Sequence, residues 1–229
     1  FALDGRFELA IIAIMFAALI DGLDGRIARL IKGTSKVGKE LDSLTDMISF
    51  GVAPAFIMYF WKLDTLGRFG WLLCLVFVIC VALRLARFNI NSNHEPSWRD
   101  NFFEGVPSPA GGILVLTPLI ISLSGFDFFQ LNYDIIVPIF FVTTSFLLIS
   151  KFPSYSFKKI VIRRRTTIFL LFGIVLFFGL LLVYTFNVIA ISAIVYLLLL
   201  PISYVHYQKI KNKHEKDKIQ DEDDLEDVL

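Results

Sequence analysis

The chain is short of charged residues, cysteine and histidine. Charged residues make up 19% of its 229 residues, with two cysteines and three histidines. So few cysteines exclude a disulfide-rich scaffold, and Cys74 and Cys80, too far apart for a CxxC redox pair, are expected to be packing residues. The composition also argues against a disordered chain and against nucleic-acid binding. It is instead 56% hydrophobic, with 24 phenylalanines and a mean hydropathy of +0.69, which is typical of a membrane protein.

Long apolar runs divide the chain into helices. A helix needs about 20 mostly apolar residues to cross the hydrocarbon core. Seven segments meet this description: 7–29, 38–61, 69–91, 108–124, 133–150, 167–185 and 187–207. The turn around 185–187 is so short that the last two should form a helical hairpin. The sequence therefore predicts an all-α, polytopic membrane protein with one catalytic helical bundle over 1–208.

Basic residues alternate between the two ends of these helices. Lys and Arg concentrate in cytoplasmic loops, and one side receives the basic clusters within 26–39, 84–99, 151–165 and 209–218. The other side receives only Arg6, Lys62 and Arg68. This pattern predicts an external N-terminus and a cytoplasmic C-terminus, and the odd count predicts one further helix before the chain.

Two polar segments lie outside the predicted spans. Residues 209–229 are almost entirely polar and end in an acidic run, which predicts a solvated, disordered cytoplasmic tail. Residues 96–109 predict an interfacial loop or a short helix.

Acidic and small residues recur at helical spacing near the start of the chain. They are Asp21, Asp24, Gly25 and Ala28 on the first helix, and Gly38, Asp42 and Asp46 on the second. The first set follows the i, i+3, i+4, i+7 rule and the second repeats every four residues, so each set shares one helix face. We expect the four carboxylates to face a common groove.

Four carboxylates close to a membrane repel one another unless cations neutralise them. An all-oxygen site suits Mg²⁺ or Mn²⁺, which commonly bind phosphates. Gly25 and Gly38 would allow a close approach, and Arg29 can donate two hydrogen bonds to a phosphate. The structural alternative is that the acids cap a helix and pair with Arg26, Lys36 and Lys39, but four acids at this spacing favour a metal–diphosphate site.

These residues resemble the signature of the CDP-alcohol phosphotransferases. The pattern D-x2-D-G-x2-A-R-x8-G-x3-D-x3-D is satisfied at Asp21, Asp24, Gly25, Ala28, Arg29, Gly38, Asp42 and Asp46. The resemblance implies that an alcohol attacks the lipid-linked phosphate of a CDP-lipid, forming a phosphodiester and releasing CMP. It also implies a homodimer, since dimers are common in the family.

The same resemblance assigns roles to the residues of the signature. It implies two metal ions, Mg²⁺ or Mn²⁺, on Asp21, Asp24, Asp42 and Asp46, with Asp46 also acting as the general base. The CDP moiety would contact Asp21, Gly25, Ala28, Arg29 and Gly38.

Two further segments, 83–89 and 103–112, look like those of phosphatidylserine synthases. This likeness implies CDP-diacylglycerol as donor and L-serine as acceptor. The serine carboxylate needs a cationic partner, and Arg84, Arg87 and Asn89 are the candidates for the acceptor site. The alternative for each arginine is that it extends to anionic lipid headgroups.

Other functions stay open from the sequence. The acceptor could be glycerol 3-phosphate, inositol phosphate or a related alcohol, and the donor an ether-linked CDP-archaeol. A cation-coupled transporter is the rival of another class, but the acids lie at helix ends beside basic loops and no inverted repeat is evident. We expect an integral protein of a prokaryotic cell or inner membrane, with its active site on the cytoplasmic face and membrane lipids around it.

Overall fold

The fold is a bundle of helices with one small strand pair. A computed structural model describes residues 1–30, 36–91, 102–125, 132–155 and 164–226, and within these ranges it leaves the side chains of 24–30, 36, 91, 102–104, 155, 164–166, 211 and 213–226 undescribed. The helices are α1 (Phe7–Leu30), α2 (Lys36–Met47), α3 (Ala53–Trp61), α4 (Arg68–Asn91), α5 (Ser108–Leu123), α6 (Tyr133–Ile149), α7 (Arg164–Val183) and α8 (Thr185–Glu226). Strands β1 (Phe102–Glu104) and β2 (Pro153–Tyr155) pair antiparallel.

Helices occur at all seven predicted places. Within the part of the chain that the structure describes, three helical segments are long and apolar enough to cross a membrane: Val37–Trp61, Arg68–Ile90 and Thr185–Ile210. Three others, Ser108–Leu123, Tyr133–Ile149 and Thr167–Val183, are apolar but shorter. The expected fold class, a polytopic helical membrane protein, is confirmed, while the count of seven crossings stays a prediction. The predicted hairpin is present, because α7 ends at Val183 and α8 begins at Thr185.

The second predicted span is one helical segment with a change of hydrogen-bond register. Between α2 and α3, residues Ile48–Val52 form a π-helical turn, and the Ala53 N–H donates to the Ile48 carbonyl five residues earlier. Pro54 has no N–H to donate to the Phe50 carbonyl, which favours a shift from the usual i to i−4 ladder at this point. The π-turn buries Phe50 and Gly51 and begins two residues after Asp46.

Helix α4 packs against α2, α3, α5 and α6. Its core face carries Phe77 and Val81, both fully buried, and the Phe77 ring meets Phe141 of α6 edge to face at 5.5 Å. Cys74 and Cys80 are buried and free, so the prediction that they are packing residues is confirmed.

The segments that connect the helices lie at the two ends of the bundle. At one end, Lys62 pairs with Asp134 at 3.1 Å and Asn187 donates to the Ser124 carbonyl. At the other end lie the C-terminal end of α4, the strand pair and α2. This arrangement matches the alternation predicted from the basic residues, whereas the orientation in the membrane stays a prediction.

Two expectations for polar segments were wrong. Helix α8 continues to Glu226, where a disordered tail was expected. Lys and Glu are good helix formers, and the segment carries oppositely charged residues four apart, such as Lys218 and Glu222. The stretch 96–109 contributes β1 and the first turn of α5 instead of only a loop or short helix, while 96–101 lie outside the described residues.

Candidate functional site

Helix α1 carries the first half of the acidic motif. Its backbone is helical to Leu30, so Asp21, Asp24, Gly25 and Ala28 have the i, i+3, i+4, i+7 placement that the sequence predicted. Asp21 is half-buried. The side chains of Asp24, Gly25, Ala28 and Arg29 lie outside the described residues.

Helix α2 carries the second half of the motif. Gly38, Asp42 and Asp46 repeat every four residues along Lys36–Met47, as predicted. Gly38 and Asp42 are exposed and Asp46 is half-buried. Both carboxylates interact with other residues, so neither is isolated.

The described carboxylates do not by themselves form a complete metal centre. Among the side chains that the structure describes, no group of three His, Cys, Asp or Glu residues is placed to hold an ion. Since the Asp24 carboxylate lies outside that part, the predicted four-carboxylate cluster stays a prediction. The chemistry of the donors fits a hard divalent ion, because the predicted set offers only carboxylate oxygens.

Arg84 lies inside the bundle next to the second acidic helix. Its position follows from the core face of α4, since residues 77, 81 and 84 fall on one side of a helix. Its side chain is 7% exposed, and its Nε donates to the Val106 carbonyl. Asp46 of α2 is near enough to make a small contribution to the electrostatic environment of the guanidinium. The alternative that Arg84 extends to lipid headgroups is therefore wrong, and the residue is a buried cation in the part of the bundle that carries Asp46.

Arg87 lies one helical turn beyond Arg84 and is half-buried. Its Nη1 donates to the carbonyl of Ile149, the last residue of α6, at 2.6 Å. A cation at the C-terminal end of a helix meets unpaired carbonyls and the negative end of the helix dipole, which stabilises this contact. Arg87 thus joins α4 to α6 beside Arg84.

Asn89 connects the end of α4 to the acidic helix. Its Nδ2 donates to Ser43 Oγ at 2.9 Å, and its backbone carbonyl accepts from Lys39 Nζ at 3.4 Å. Ser43 lies between Asp42 and Asp46 in the sequence of α2. The structure therefore brings the three predicted acceptor residues to the part of the molecule that carries Asp46.

Sequence reasoning missed two polar residues near Arg84. Ser154 of β2 is 1% exposed and donates to the Gly105 carbonyl at 3.1 Å. The hydroxyl of Tyr196 on α8 lies beside Ser154, and Tyr196 packs in the cluster around Val106, whose carbonyl accepts from Arg84. Neither belongs to a recognisable motif. Tyr196 is a polar residue inside an otherwise apolar stretch, but no sequence signal marks Ser154.

An apolar groove lies on the other side of α1. It has a volume of about 580 Å³ and is bounded by α1, α5, α7 and α8, with Phe16, Ile113 and Phe178 among its lining residues. On α1 the lining residues run from Ile12 to Leu19. Asp21 lies about 200° around the helix from Leu19, so Asp21 and the groove are on opposite sides of α1.

Comparisons with known proteins match both the motif and most of the chain. The family model described as CDP-alcohol phosphatidyltransferase matches residues 1–147. A Mycobacterium leprae (strain TN) protein named CDP-diacylglycerol–serine O-phosphatidyltransferase is 41% identical over 157 residues, which cover 67% of this chain and 51% of that protein.

Two more relatives carry the same name. The Helicobacter pylori (strain ATCC 700392 / 26695) protein is 39% identical over 155 residues, covering 68% of this chain and 64% of the relative. The Bacillus subtilis (strain 168) protein is 35% identical over 150 residues, covering 66% of this chain and 76% of the relative. The chain thus spans about half to three quarters of the length of these relatives.

The family match covers α1 to α5 and nearly all of α6, and it includes every position of the acidic motif together with Arg84, Arg87 and Asn89. It ends before β2, α7 and α8. From this match, we conclude that the chain belongs to the CDP-alcohol phosphatidyltransferase family.

Proposed function

We propose that this protein transfers the phosphatidyl group of CDP-diacylglycerol to the hydroxyl of L-serine, forming phosphatidylserine and CMP. The observation that carries the proposal is the similarity, over 150 residues or more, to several proteins named for this reaction. The position of Arg84 supports the choice of acceptor. A buried cation in the part of the bundle that carries Asp46 suits an alcohol that also bears a carboxylate.

Members of this family generally use divalent metal ions. We propose that Asp21, Asp24, Asp42 and Asp46 would hold two such ions, Mg²⁺ or Mn²⁺. Bound there, these ions supply positive charge that neutralises the diphosphate and stabilises the charge on the departing CMP. Gly25, Ala28, Arg29, Gly38 and Asp21 would contact the CDP moiety.

The protein's own residues bind the acceptor and move its proton. Arg84, with Arg87 and Asn89 nearby, binds the serine carboxylate and directs the hydroxyl toward Asp46. Asp46 accepts the hydroxyl proton as the serine oxygen bonds to the lipid-linked phosphorus. The bond from that phosphorus to the oxygen of CMP breaks, and CMP leaves with the electron pair.

The protein is an integral membrane protein, and we propose that its active site opens to the cytoplasm of a prokaryotic cell. Soluble serine and CMP would then exchange at the basic end of the bundle, while the lipid product stays in the membrane. The homodimer that the family resemblance implies stays a prediction.

The test is CMP release by the purified protein in lipid nanodiscs with CDP-diacylglycerol. L-serine, glycerol 3-phosphate and no acceptor would be compared, each with Mg²⁺, with Mn²⁺ and with excess EDTA, and the product identified by mass spectrometry. We expect serine-dependent release of CMP with phosphatidylserine formation, abolished by EDTA. Asp46→Asn should lower the rate by at least about 100-fold, since a general base contributes roughly 10²–10⁴-fold.

Asp64→Asn is the matched control, because Asp64 is exposed and lies at the other end of the bundle. It should retain full activity. Transfer to glycerol 3-phosphate but not to serine would refute the assigned acceptor, and transfer that persists in EDTA would refute the metal dependence.

A further inference from the structure

The part of the chain beyond the family match contributes to the surroundings of Arg84. The match ends at residue 147, and Ser154 and Tyr196 both come later in the chain. Helix α8 packs against β2, and the Phe152 and Tyr204 rings stack with centroids 5.1 Å apart. The C-terminal helix is thereby connected to the turn that holds the buried arginine.

That turn contains two successive backbone carbonyls with different partners. The Gly105 carbonyl accepts from Ser154 Oγ, and the next carbonyl, of Val106, accepts from Arg84 Nε. Gly105 has φ +75°, and a Cβ there would lie 2.8 Å from the Ser150 carbonyl oxygen. The turn is therefore held in one conformation. A side chain that holds the Gly105 carbonyl also influences the position of the Val106 carbonyl, to which Arg84 donates.

Tyr196 completes this group from α8. Its ring packs in the apolar cluster around Val106 and Ala193, and Tyr196 is one of the residues that line the apolar groove. Its hydroxyl oxygen is shielded from solvent and lies beside Ser154, but it does not reach full hydrogen-bond geometry with a described residue. A buried hydroxyl without a partner is unfavourable, and Ser154 Oγ is the acceptor beside it.

We propose that Tyr196 is a positioning residue that acts through Ser154 to fix the Arg84 guanidinium at the Val106 carbonyl, and so sets the affinity for the carboxylate-bearing acceptor. A hydroxyl can accept one hydrogen bond while it donates another. When the phenol donates to Ser154 Oγ, the Ser154 hydrogen stays directed at the Gly105 carbonyl, and the Val106 carbonyl keeps its place. This proposal rests on the proposed function, because the acceptor is taken to be L-serine.

The first test compares the KM values for the two substrates in Tyr196→Phe with those of the wild-type protein. The variant keeps the ring in the apolar cluster and removes only the hydroxyl. We expect KM for L-serine to rise about fivefold, the effect of losing one ordinary hydrogen bond, while KM for CDP-diacylglycerol and the melting temperature stay unchanged. A residue that only supported the fold would alter stability, or both KM values together.

Tyr204→Phe is the matched control, since Tyr204 is an exposed tyrosine two turns further along α8. It should leave the serine KM unchanged. Ser154→Ala should reproduce the effect of Tyr196→Phe, and the double variant should be no worse than either single one. A wild-type serine KM in Tyr196→Phe would overturn the proposal.

Amide hydrogen exchange tests the positioning without any turnover. The Gly105 N–H donates to the Phe152 carbonyl at 2.9 Å, so its exchange rate reports opening of the turn. If the wild-type protein shows no serine-dependent CMP release, the proposed function fails and this measurement decides the positioning role alone. Faster exchange at Gly105 in Tyr196→Phe than in Tyr204→Phe would support it, and equal exchange would overturn it.

Discussion

At the scale of single residues, the buried arginine has the largest consequence. Charged groups are expensive inside a membrane protein unless they pair with one another or with backbone carbonyls. Arg84 meets this condition through the Val106 carbonyl and its interaction with Asp46. A buried cation at this place is consistent with the proposed recognition of an acceptor that bears a carboxylate.

Arg84→Lys tests this interpretation. Lysine keeps the charge but lacks the planar fork that can donate to the Val106 carbonyl and to a carboxylate at the same time. We expect kcat/KM for L-serine to fall at least about tenfold, since hydrogen bonds of charged groups contribute roughly 1.5–3 kcal/mol. Initial rates of CMP release would measure it.

Arg68→Lys provides the comparison for this substitution, because Arg68 is exposed at the first residue of the same helix. It should be neutral for both activity and melting temperature. Equal serine kinetics in the two variants would remove Arg84 from the acceptor site.

At the scale of elements, the packing of α5 against the π-turn shapes the site. A Cβ added to Gly112 would lie 3.0 Å from the Phe50 carbonyl oxygen and 3.2 Å from its Cα. Both atoms belong to backbone, which moves less easily than the end of a side chain. Gly112 thus allows α5 to approach the turn that follows Asp46.

Gly112→Ala should therefore be destabilising despite the better helix propensity of alanine. We expect a loss of about 1–3 kcal/mol, the usual cost of overpacking a core, together with lower CMP release as the π-turn is displaced. Thermal unfolding in detergent would measure the stability.

Gly173→Ala is the control, since Gly173 lies in α7 with no atom within 4 Å of an added Cβ. It should be neutral or slightly stabilising through helix propensity. Equal stability of the two alanine variants would show that the approach of α5 to the π-turn is not tight.

At the scale of the whole molecule, the alternation of basic loops predicts how the bundle lies in the membrane. The loop with Thr65 belongs to the end with few basic residues, and Lys151 belongs to the basic end. Thr65→Cys should react with a membrane-impermeant maleimide in intact cells, and Lys151→Cys only after permeabilisation. Cys74 and Cys80 are buried and should give little background. The reverse labelling would invert the topology and place the proposed active site outside.

Much of the architecture could be predicted because its causes are local. Apolar runs of sufficient length predicted the positions of the described helices except the polar end of α8. The hairpin was predicted as well, with its turn around 185–187, whereas the structure has the turn at Tyr184. The backbone of α1 and α2 carries the motif at the spacing expected of helices. The error at the C-terminal tail has a local cause too, because charged composition was given more weight than helix propensity.

The sequence by itself determined the membrane class, the helices, the acidic motif and the family, since these depend on composition and on spacing within one helix. Only the tertiary structure decided that Arg84 is buried against the Val106 carbonyl and that Arg87 donates to the end of α6. It also decided that Ser154 and Tyr196, from the last third of the chain, lie near the turn that holds Arg84. The hydrogen bonds concerned join residues 22, 62 and 49 positions apart. Such contacts depend on how whole helices pack, and no local pattern of apolar and polar residues encodes them.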